Sequence, residues 1–286
     1  MPEGPEARTT AVQLEPVLIG KYLQGHTDLG RLQQIFTVGK QLYFVFEDCS
    51  TLLNSSLGMT GHWLLYIDET KVNNKHTKAV LNWGTELVTL SKDQQGNVLS
   101  NMLIMDTTVY YHDTRGLGKM TWLTLEQAHT KMKGYPHDWL QMLIPQQYVI
   151  PIPQVVTDPP NMDIICNKNK EICKVLLDPK VSSGIGNYIR CEALYLAGIH
   201  PLSIANKLTS TDKDILFDAI CYVMVESYKH NGLTLGDFIS PNYGIGVYPP
   251  QVYGLSRTSD GYPVVKIRAE TDRYVHVCLE KQHLIV

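Results

Sequence analysis

The hydrophobic period of this chain changes once, and a run of prolines marks the change. From about residue 22 to 122 the apolar residues fall in short alternating or β-rich runs: Gln41-Leu-Tyr-Phe-Val-Phe-Glu47, His62-Trp-Leu-Leu-Tyr66, Thr77 through Trp83, and Thr107-Thr-Val-Tyr-Tyr-His112. Turn residues separate them at close spacing, which predicts an all-β sandwich or barrel. Residues 149–162 hold four prolines and read as a linker. Beyond them the spacing is helical. Lys168 to about Leu177 is one expected helix, and Asn187 to Ala197, stopped by Gly198, is another. Thr209 to His230 is the strongest, with Asp212 placed to complete a capping box and Ile215, Leu216, Ala219, Ile220, Val223 and Met224 on one face. Residues 3–19 also carry helical spacing (Ala11, Leu14, Val17, Leu18), and the tail reads as a hairpin of Val264–Ile267 with Arg273–Cys278. The expected class is α+β. An N-terminal helix and β-sandwich occupy 1–148, the linker 149–162, a helical unit 163–248 and a hairpin tail 249–286.

A length of 286 residues suits about two cores. No run approaches the ~20 apolar residues of a membrane span, so no membrane partner is expected. The N-terminus lacks the charged-then-apolar order of a signal peptide. The expectation is an intracellular monomer, in cytoplasm or nucleus or as a viral protein in a host cell, and not secreted. Six cysteines without a CxxC pair read as buried thiols, so no disulfide framework, metal site or other cofactor is expected. The net charge of −3 argues against a strongly basic nucleic-acid binder. The objection is weak, because phosphate contacts need only a few placed cations and helix N-termini.

Four constellations carry possible chemistry. The first is Met1-Pro2-Glu3-Gly4-Pro5-Glu6. Removal of Met1 would expose the secondary amine of Pro2, which can attack a sugar aldehyde carbon and form an iminium. An α-amine, with a reference pKa near ~8, is partly unprotonated at neutral pH, and a neighbouring carboxylate can serve as acid or base. Taken alone, the segment reads first as a helix start with Pro and acids in its first turn. The second is Ser182-Ser-Gly-Ile-Gly-Asn-Tyr-Ile-Arg-Cys-Glu192, where two glycines permit close backbone approach. Asn187 there would bring a side-chain donor and free helix N–H groups to a phosphate, or would simply cap an αα-turn. The third is a pair of loops, Leu57–Gly61 and Asp113–Gly118. Met59, Arg115 and Leu117 on them would fill the gap left by a flipped nucleotide, or pack as ordinary turns. The fourth is Lys40 and Arg273, candidate phosphate ligands or plain surface charges.

Together, in this order and over the whole length, these segments resemble the formamidopyrimidine-DNA glycosylase/endonuclease VIII (Fpg/Nei) family. Met-Pro-Glu-Gly-Pro-Glu is similar to the Nei-type start, and Gly39-Lys-Gln-Leu-Tyr43 to the family's lysine before a strand. Ser56-Leu-Gly-Met-Thr-Gly61 and Tyr111-His-Asp-Thr-Arg-Gly-Leu-Gly118 are similar to its two loop motifs. Pro179-Lys through Gly198-Ile-His-Pro201 is close to its helix–two-turn–helix signature, the most specific match. Gly232-Leu-Thr-Leu-Gly-Asp-Phe238 and Gln251-Val-Tyr-Gly254 match the approach to its terminal finger.

The resemblance implies a bifunctional glycosylase/AP lyase of base-excision repair, with damaged double- or single-stranded DNA as partner. Pro2 would form the Schiff base and Glu3 would act as acid and base for ring opening and β,δ-elimination. Glu6 would support the site, Lys40 would bind the phosphate beside the lesion and assist catalysis, and Asn187 and Arg273 would grip the same phosphate region. Met59, Arg115 and Leu117 would fill the space of the flipped nucleotide, and Glu192 would be structural. The chain departs from the pattern at several places. Of the finger cysteines only Cys278 is present and Lys281 stands at the next position, which implies a zincless finger. Leu117 replaces an aromatic residue, Ser56 a histidine and Gly116 an arginine. Tyr188-Ile189 inverts the Ile-Tyr of bacterial Fpg. The expected substrates are oxidised pyrimidines and formamidopyrimidines, read by a loop near 236–250. An Fpg-like preference for 8-oxoguanine is the alternative, and a non-catalytic damaged-DNA-binding relative the contrasting class.

Overall fold

The computed structural model describes residues 2–66, 75–234, 238–269 and 273–286. Part of the expected lesion loop (235–237) and the turn of the expected tail hairpin (270–272) lie outside the described residues. The architecture is α+β, with a β-sandwich first and a helical unit second.

Helix α1 (Gly4–Leu18) opens the chain and buries Ala7, Ala11, Leu14 and Leu18. Ten strands follow: β1 (Tyr22–Leu23), β2 (Leu32–Val38), β3 (Gln41–Phe46), β4 (Thr51–Ser56), β5 (Gly61–Leu64), β6 (Thr77–Gly84), β7 (Glu86–Lys92), β8 (Val98–Ile104), β9 (Thr107–Asp113) and β10 (Lys119–Thr124). They form two four-stranded sheets, β1-β6-β9-β5 and β10-β4-β3-β2, and the separate ribbon β7-β8. Strand β3 explains the sandwich. Leu42, Phe44 and Phe46 face the inter-sheet core with Trp63, Trp83, Val109 and Tyr111, which α1 closes at one side. Tyr43 and Val45 face the other way, against Ala128, Met132, Ile150 and Val156. A strand covered on both faces reads as a nearly unbroken apolar run.

Helix α2 (Leu125–Lys133) supplies that second cover, its start fixed by a Thr124–Gln127 capping box. Short helices α3 (Trp139–Leu143), α4 (Gln154–Thr157), α5 (Met162–Ile165) and α6 (Ile172–Leu177) lead into α7 (Asn187–Leu196) and α8 (Ser210–Lys229). The proline-rich stretch 149–162 is folded onto the sandwich, with Ile150 and Val156 buried and α4 inside it. The helix expected from Lys168 begins only at Ile172. The preceding backbone is used elsewhere: Ala205 N–H donates to the Lys170 carbonyl and Asn206 N–H to that of Lys168. Helix α8 starts at the Thr209–Asp212 capping box its sequence encodes.

The tail hairpin pairs β11 (Val265–Arg268) with β12 (Tyr274–Val277). A lone two-stranded hairpin is marginal in water. Here Val275 and Cys278 enter the core of the helical unit, and His200 N–H and Ile204 N–H donate to the carbonyls of His283 and Ile285. Lys281 forms an ion pair with Asp260 at 2.8 Å and lies 4.6 Å from the centre of the Tyr262 ring. Glu192, on α7, anchors the approach to the hairpin: its carboxylate accepts the N–H groups of Gln251, Val252 and Tyr253 at 2.7–3.0 Å. Its role is structural. Burial raises its pKa, and the three N–H groups oppose the rise. Glu192→Ala leaves those donors buried and unpaired, so it is expected to lower the unfolding free energy by about 3 kcal/mol or more. Urea denaturation checks this, and a loss under about 0.5 kcal/mol would refute the anchoring role.

Candidate active site

Three segments converge at Gly184. Gly4 N–H donates to the Gly184 carbonyl at 3.0 Å. A Cβ on Gly4 would sit 3.1 Å from that oxygen, and one on Gly39 would sit 3.0 Å from Cβ of Ser183. The start of α1, the β2–β3 turn holding Gly39 and Lys40, and the turn before α7 therefore meet through glycines. Asp138 fixes the β2–β3 turn by accepting Gly39 N–H at 2.8 Å while capping α3 through Leu140 N–H.

Pro2 and Glu3 are buried at this junction. Glu3 Oε1 accepts Tyr188 N–H at 2.9 Å, and Oε2 accepts Ile189 N–H at 3.3 Å. Those are donors of the first turn of α7, where backbone N–H groups lack intrahelical partners. Sequence reasoning assigned these free N–H groups to a phosphate; the structure gives them to Glu3 instead. The N-cap is Gly186 rather than Asn187, and only glycine fits there, since a Cβ at 186 would lie 2.1 Å from Cδ of Glu3. Burial raises the Glu3 pKa above the ordinary carboxylate range; Lys40 opposes the rise and Glu6 adds to it. Burial lowers the Lys40 pKa, opposed by Glu3 and reinforced by Arg273.

Glu6 sits beneath Glu3. Its Oε2 accepts Glu3 N–H at 2.9 Å, and its Oε1 accepts the Tyr188 hydroxyl at 2.9 Å and Leu233 N–H at 3.1 Å. Tyr188 Oη also lies 2.6 Å from Ser227 Oγ. Sequence reasoning missed Tyr188 and Ser227 in this network. Their signal is only that both are polar groups on otherwise apolar helix faces.

Lys40 and Arg273 line one cleft of about 510 Å³ with Gly184 and Ile185. Arg273 also borders a second cleft of about 280 Å³, shared with Met59, Asn187, Tyr253, Lys266 and His276. Asn187 spends one Nδ2–H on the Tyr274 carbonyl, and its Oδ1 accepts from Arg190 at 2.7 and 3.0 Å. The other Nδ2–H has no partner among the described residues. Lys266, Tyr253 and His276 were not read from the sequence as site residues. The alternation Tyr274-Val-His276 beside Arg273 was their one visible cue.

The two expected insertion loops lie side by side. Asp113 Oδ1 accepts the Thr60 hydroxyl at 2.6 Å and Arg115 N–H at 3.1 Å, and Arg115 Nη1 lies 3.3 Å from Met59 Sδ. A Cβ on Gly58 would sit 2.6 Å from Gly118 N. Leu117 projects, 51% exposed. The structure thus brings the two loops together, with Arg115 against Met59 and Met59 bordering the smaller cleft. Leu65 N–H donates to the Pro241 carbonyl, and the Tyr243 ring lies tilted against that of Tyr66 with centroids 4.6 Å apart. The described part of the expected lesion loop is clasped to the sandwich by these contacts.

The chain is similar to known proteins along its whole length. Residues 154–238 match the model of the formamidopyrimidine-DNA glycosylase H2TH domain. The chain is 27% identical to a formamidopyrimidine-DNA glycosylase of Herpetosiphon aurantiacus, over 97% of this chain and 98% of the relative. It superposes on the MutM (Fpg) protein of Thermus thermophilus with a TM-score of 0.74 at 23% identity, covering 98% of each chain. With Lactococcus lactis Fpg, in a complex with DNA containing an abasic site, the TM-score is 0.71 at 20% identity, covering 98% of this chain and 99% of that one. Among the described residues no helix is long and apolar enough to cross a membrane. With this fold and this order of motifs, the chain carries a formamidopyrimidine-DNA glycosylase H2TH domain and is similar along its length to formamidopyrimidine-DNA glycosylases.

Proposed function

We propose that the chain is a bifunctional DNA glycosylase and AP lyase acting on oxidised bases in damaged DNA. One observation carries the reading. Glu3, directly after Pro2, is held on the N-terminus of α7 with its pKa raised, in electrostatic reach of the Lys40 that lines the cleft. In this reading the Pro2 nitrogen, freed of Met1, attacks C1′ of the damaged nucleoside. The N–C1′ bond forms as the bond to the base breaks. Glu3 protonates the ring oxygen, so that the sugar opens to an iminium. The iminium acidifies the C2′ hydrogen, whose removal expels the 3′ phosphate; a second elimination expels the 5′ phosphate. A carboxyl with a raised pKa suits both halves of this work, since it can hold a proton and take one back.

The remaining residues take positions consistent with that chemistry. Glu6 holds the Glu3 backbone. Lys40 and Arg273 would neutralise the phosphates beside the lesion, and the spare Asn187 N–H would add a neutral donor. Met59, Arg115 and Leu117 would occupy the space left by the flipped nucleotide. The proposed division of labour is a catalytic unit over 1–148, a linker 149–162, a DNA-gripping helical unit 163–248 and a finger 249–286. The finger is read as zincless, with strand pairing, core packing and the Lys281–Asp260 pair in place of a metal. The proposed substrates are formamidopyrimidines and oxidised pyrimidines. A second reading, 8-oxoguanine, rests on the Fpg-like stretch Leu233-Thr-Leu-Gly-Asp-Phe238. Single-turnover cleavage of a panel of lesion duplexes separates the two.

Borohydride trapping on an abasic-site duplex is expected to give a covalent adduct with wild type and none with Pro2→Gly; equal trapping by both would reject Pro2 as nucleophile. Glu3→Gln is expected to slow base excision by about a hundredfold or more. Because burial raises the Glu3 pKa, wild-type excision should fall as the pH rises through that raised value and the acid loses its proton. The Glu3→Gln profile should lack that limb. An identical limb in both proteins would assign the acid elsewhere. Treatment with 1,10-phenanthroline should leave trapping and the melting midpoint unchanged; loss of either would show that the finger depends on a metal.

A further inference from the structure

His276 lies on β12 opposite Lys266 on β11. It is only 6% exposed, and its ring packs edge-on against Tyr253 with centroids 4.9 Å apart. Neither ring nitrogen has a hydrogen-bond partner among the described residues, and both are closed to solvent, although the residue borders the cleft of about 280 Å³. Buried polar groups are nearly always bonded, and one left unbonded costs stability. A phenylalanine would fill the same place against Tyr253 without that cost. The reason for an imidazole here therefore lies in something that enters the cleft.

The wall of the cleft indicates what that is. Lys266 and Arg273 supply positive charge and Asn187 a neutral donor, and no carboxylate borders it among the described residues. Such a seat favours an anion. Burial, with Lys266 adding to it, pushes the His276 pKa down to about 4, so the ring is neutral near pH 7 and offers one N–H. We propose that, as DNA enters, the His276 ring turns toward the cleft and donates an N–H hydrogen bond to a non-bridging oxygen of a DNA phosphate seated among Asn187, Lys266 and Arg273. It would then be a ligand of this chain's own cleft that adds affinity without adding charge. The inference deepens the glycosylase reading and rests on it.

Fluorescence anisotropy tests the proposal, with a duplex carrying a tetrahydrofuran abasic analogue and the variants His276→Phe, His276→Gln and Arg273→Ala. His276→Phe is expected to weaken binding about tenfold, as loss of a hydrogen bond to a charged group does. It should leave the salt dependence of the affinity unchanged, whereas Arg273→Ala should reduce the slope of log K against log salt by about one. His276→Gln, which restores a donor, should recover part of the affinity. In a series of duplexes carrying one uncharged methylphosphonate at each position flanking the lesion, the His276→Phe penalty should vanish at one position. Binding by His276→Phe within about twofold of wild type would overturn the proposal. So would a penalty that persists in every methylphosphonate duplex, which would mark a packing role or stacking on a base. Failure of wild type to bind the abasic duplex would instead remove the glycosylase reading, and this inference with it.

Discussion

The cleft is organised by one carboxylate bonded to one helix end across 185 residues of sequence. Glu3 occupies donors of α7 that have no intrahelical partner, at the positive end of the helix dipole. Charge-assisted bonds to backbone N–H groups are short and directional, so the end of the side chain is oriented by the helix itself. The same contacts favour the ionised form, yet burial outweighs them and the net pKa shift is upward. That balance matters for chemistry. Had the helix end won, the group would be a fixed anion unable to donate a proton. Had burial acted alone, nothing would orient the acid toward a sugar.

The position of Glu3 depends in turn on Glu6. The Glu6 carboxylate takes the Glu3 N–H, the Tyr188 hydroxyl and Leu233 N–H, which ties α1 to α7 and to the turn after α8. Gly232 makes room for it, with a φ of +102° and a Cβ position only 2.5 Å from Glu6 Oε1. The first turn of α1 is therefore joined to the helical unit while its later turns close the sandwich core. The segment proposed as catalytic is also the one that joins the sandwich to the helical unit. A change that loosens one core is felt at the acid, because no flexible spacer separates Glu3 from either.

Much of this fold could be read from residue order, and the reasons for the misses are physical. Capping boxes and apolar faces are local, so α8 began where Thr209 and Asp212 placed it. The Thr124–Gln127 box of α2 was equally local and was passed over, because only one side of that nine-residue helix is apolar and its core partners, Ile150 and Val156, lie beyond it in sequence. Residues 168–170 kept helical spacing but lost their backbone to bonds with residues 205 and 206, a tertiary choice that no periodicity encodes. At the site, the pair of glycines before α7 correctly announced a close approach. What approached was not legible, since a backbone N–H carries no side-chain signature and its partner stands near the chain start. The adjacency of Met59 and Arg115 was hidden for a similar reason: it depends on Asp113 and Thr60 bridging two loops that are 56 residues apart.

The overall charge of −3 is reconciled with an anionic partner by where the charges sit. Glu3 and Glu6 are buried and their oxygens are already bonded to N–H and hydroxyl donors. Arg190 is likewise spent, on Asn187 Oδ1 and the Cys173 carbonyl. That leaves Lys40, Lys266 and Arg273 as the cations that border the two clefts among the described residues. Each neutralised phosphate releases counterions, so a contact set this small predicts a shallow dependence of affinity on salt. In the proposed complex, affinity would then come in larger part from neutral donors and from loop residues that fill space, the roles proposed for Asn187, Met59 and Leu117. In the proposed complex, a protein of this charge would hold DNA where its own backbone and side chains already occupy the competing carboxylates, as the N–H groups of α7 do for Glu3.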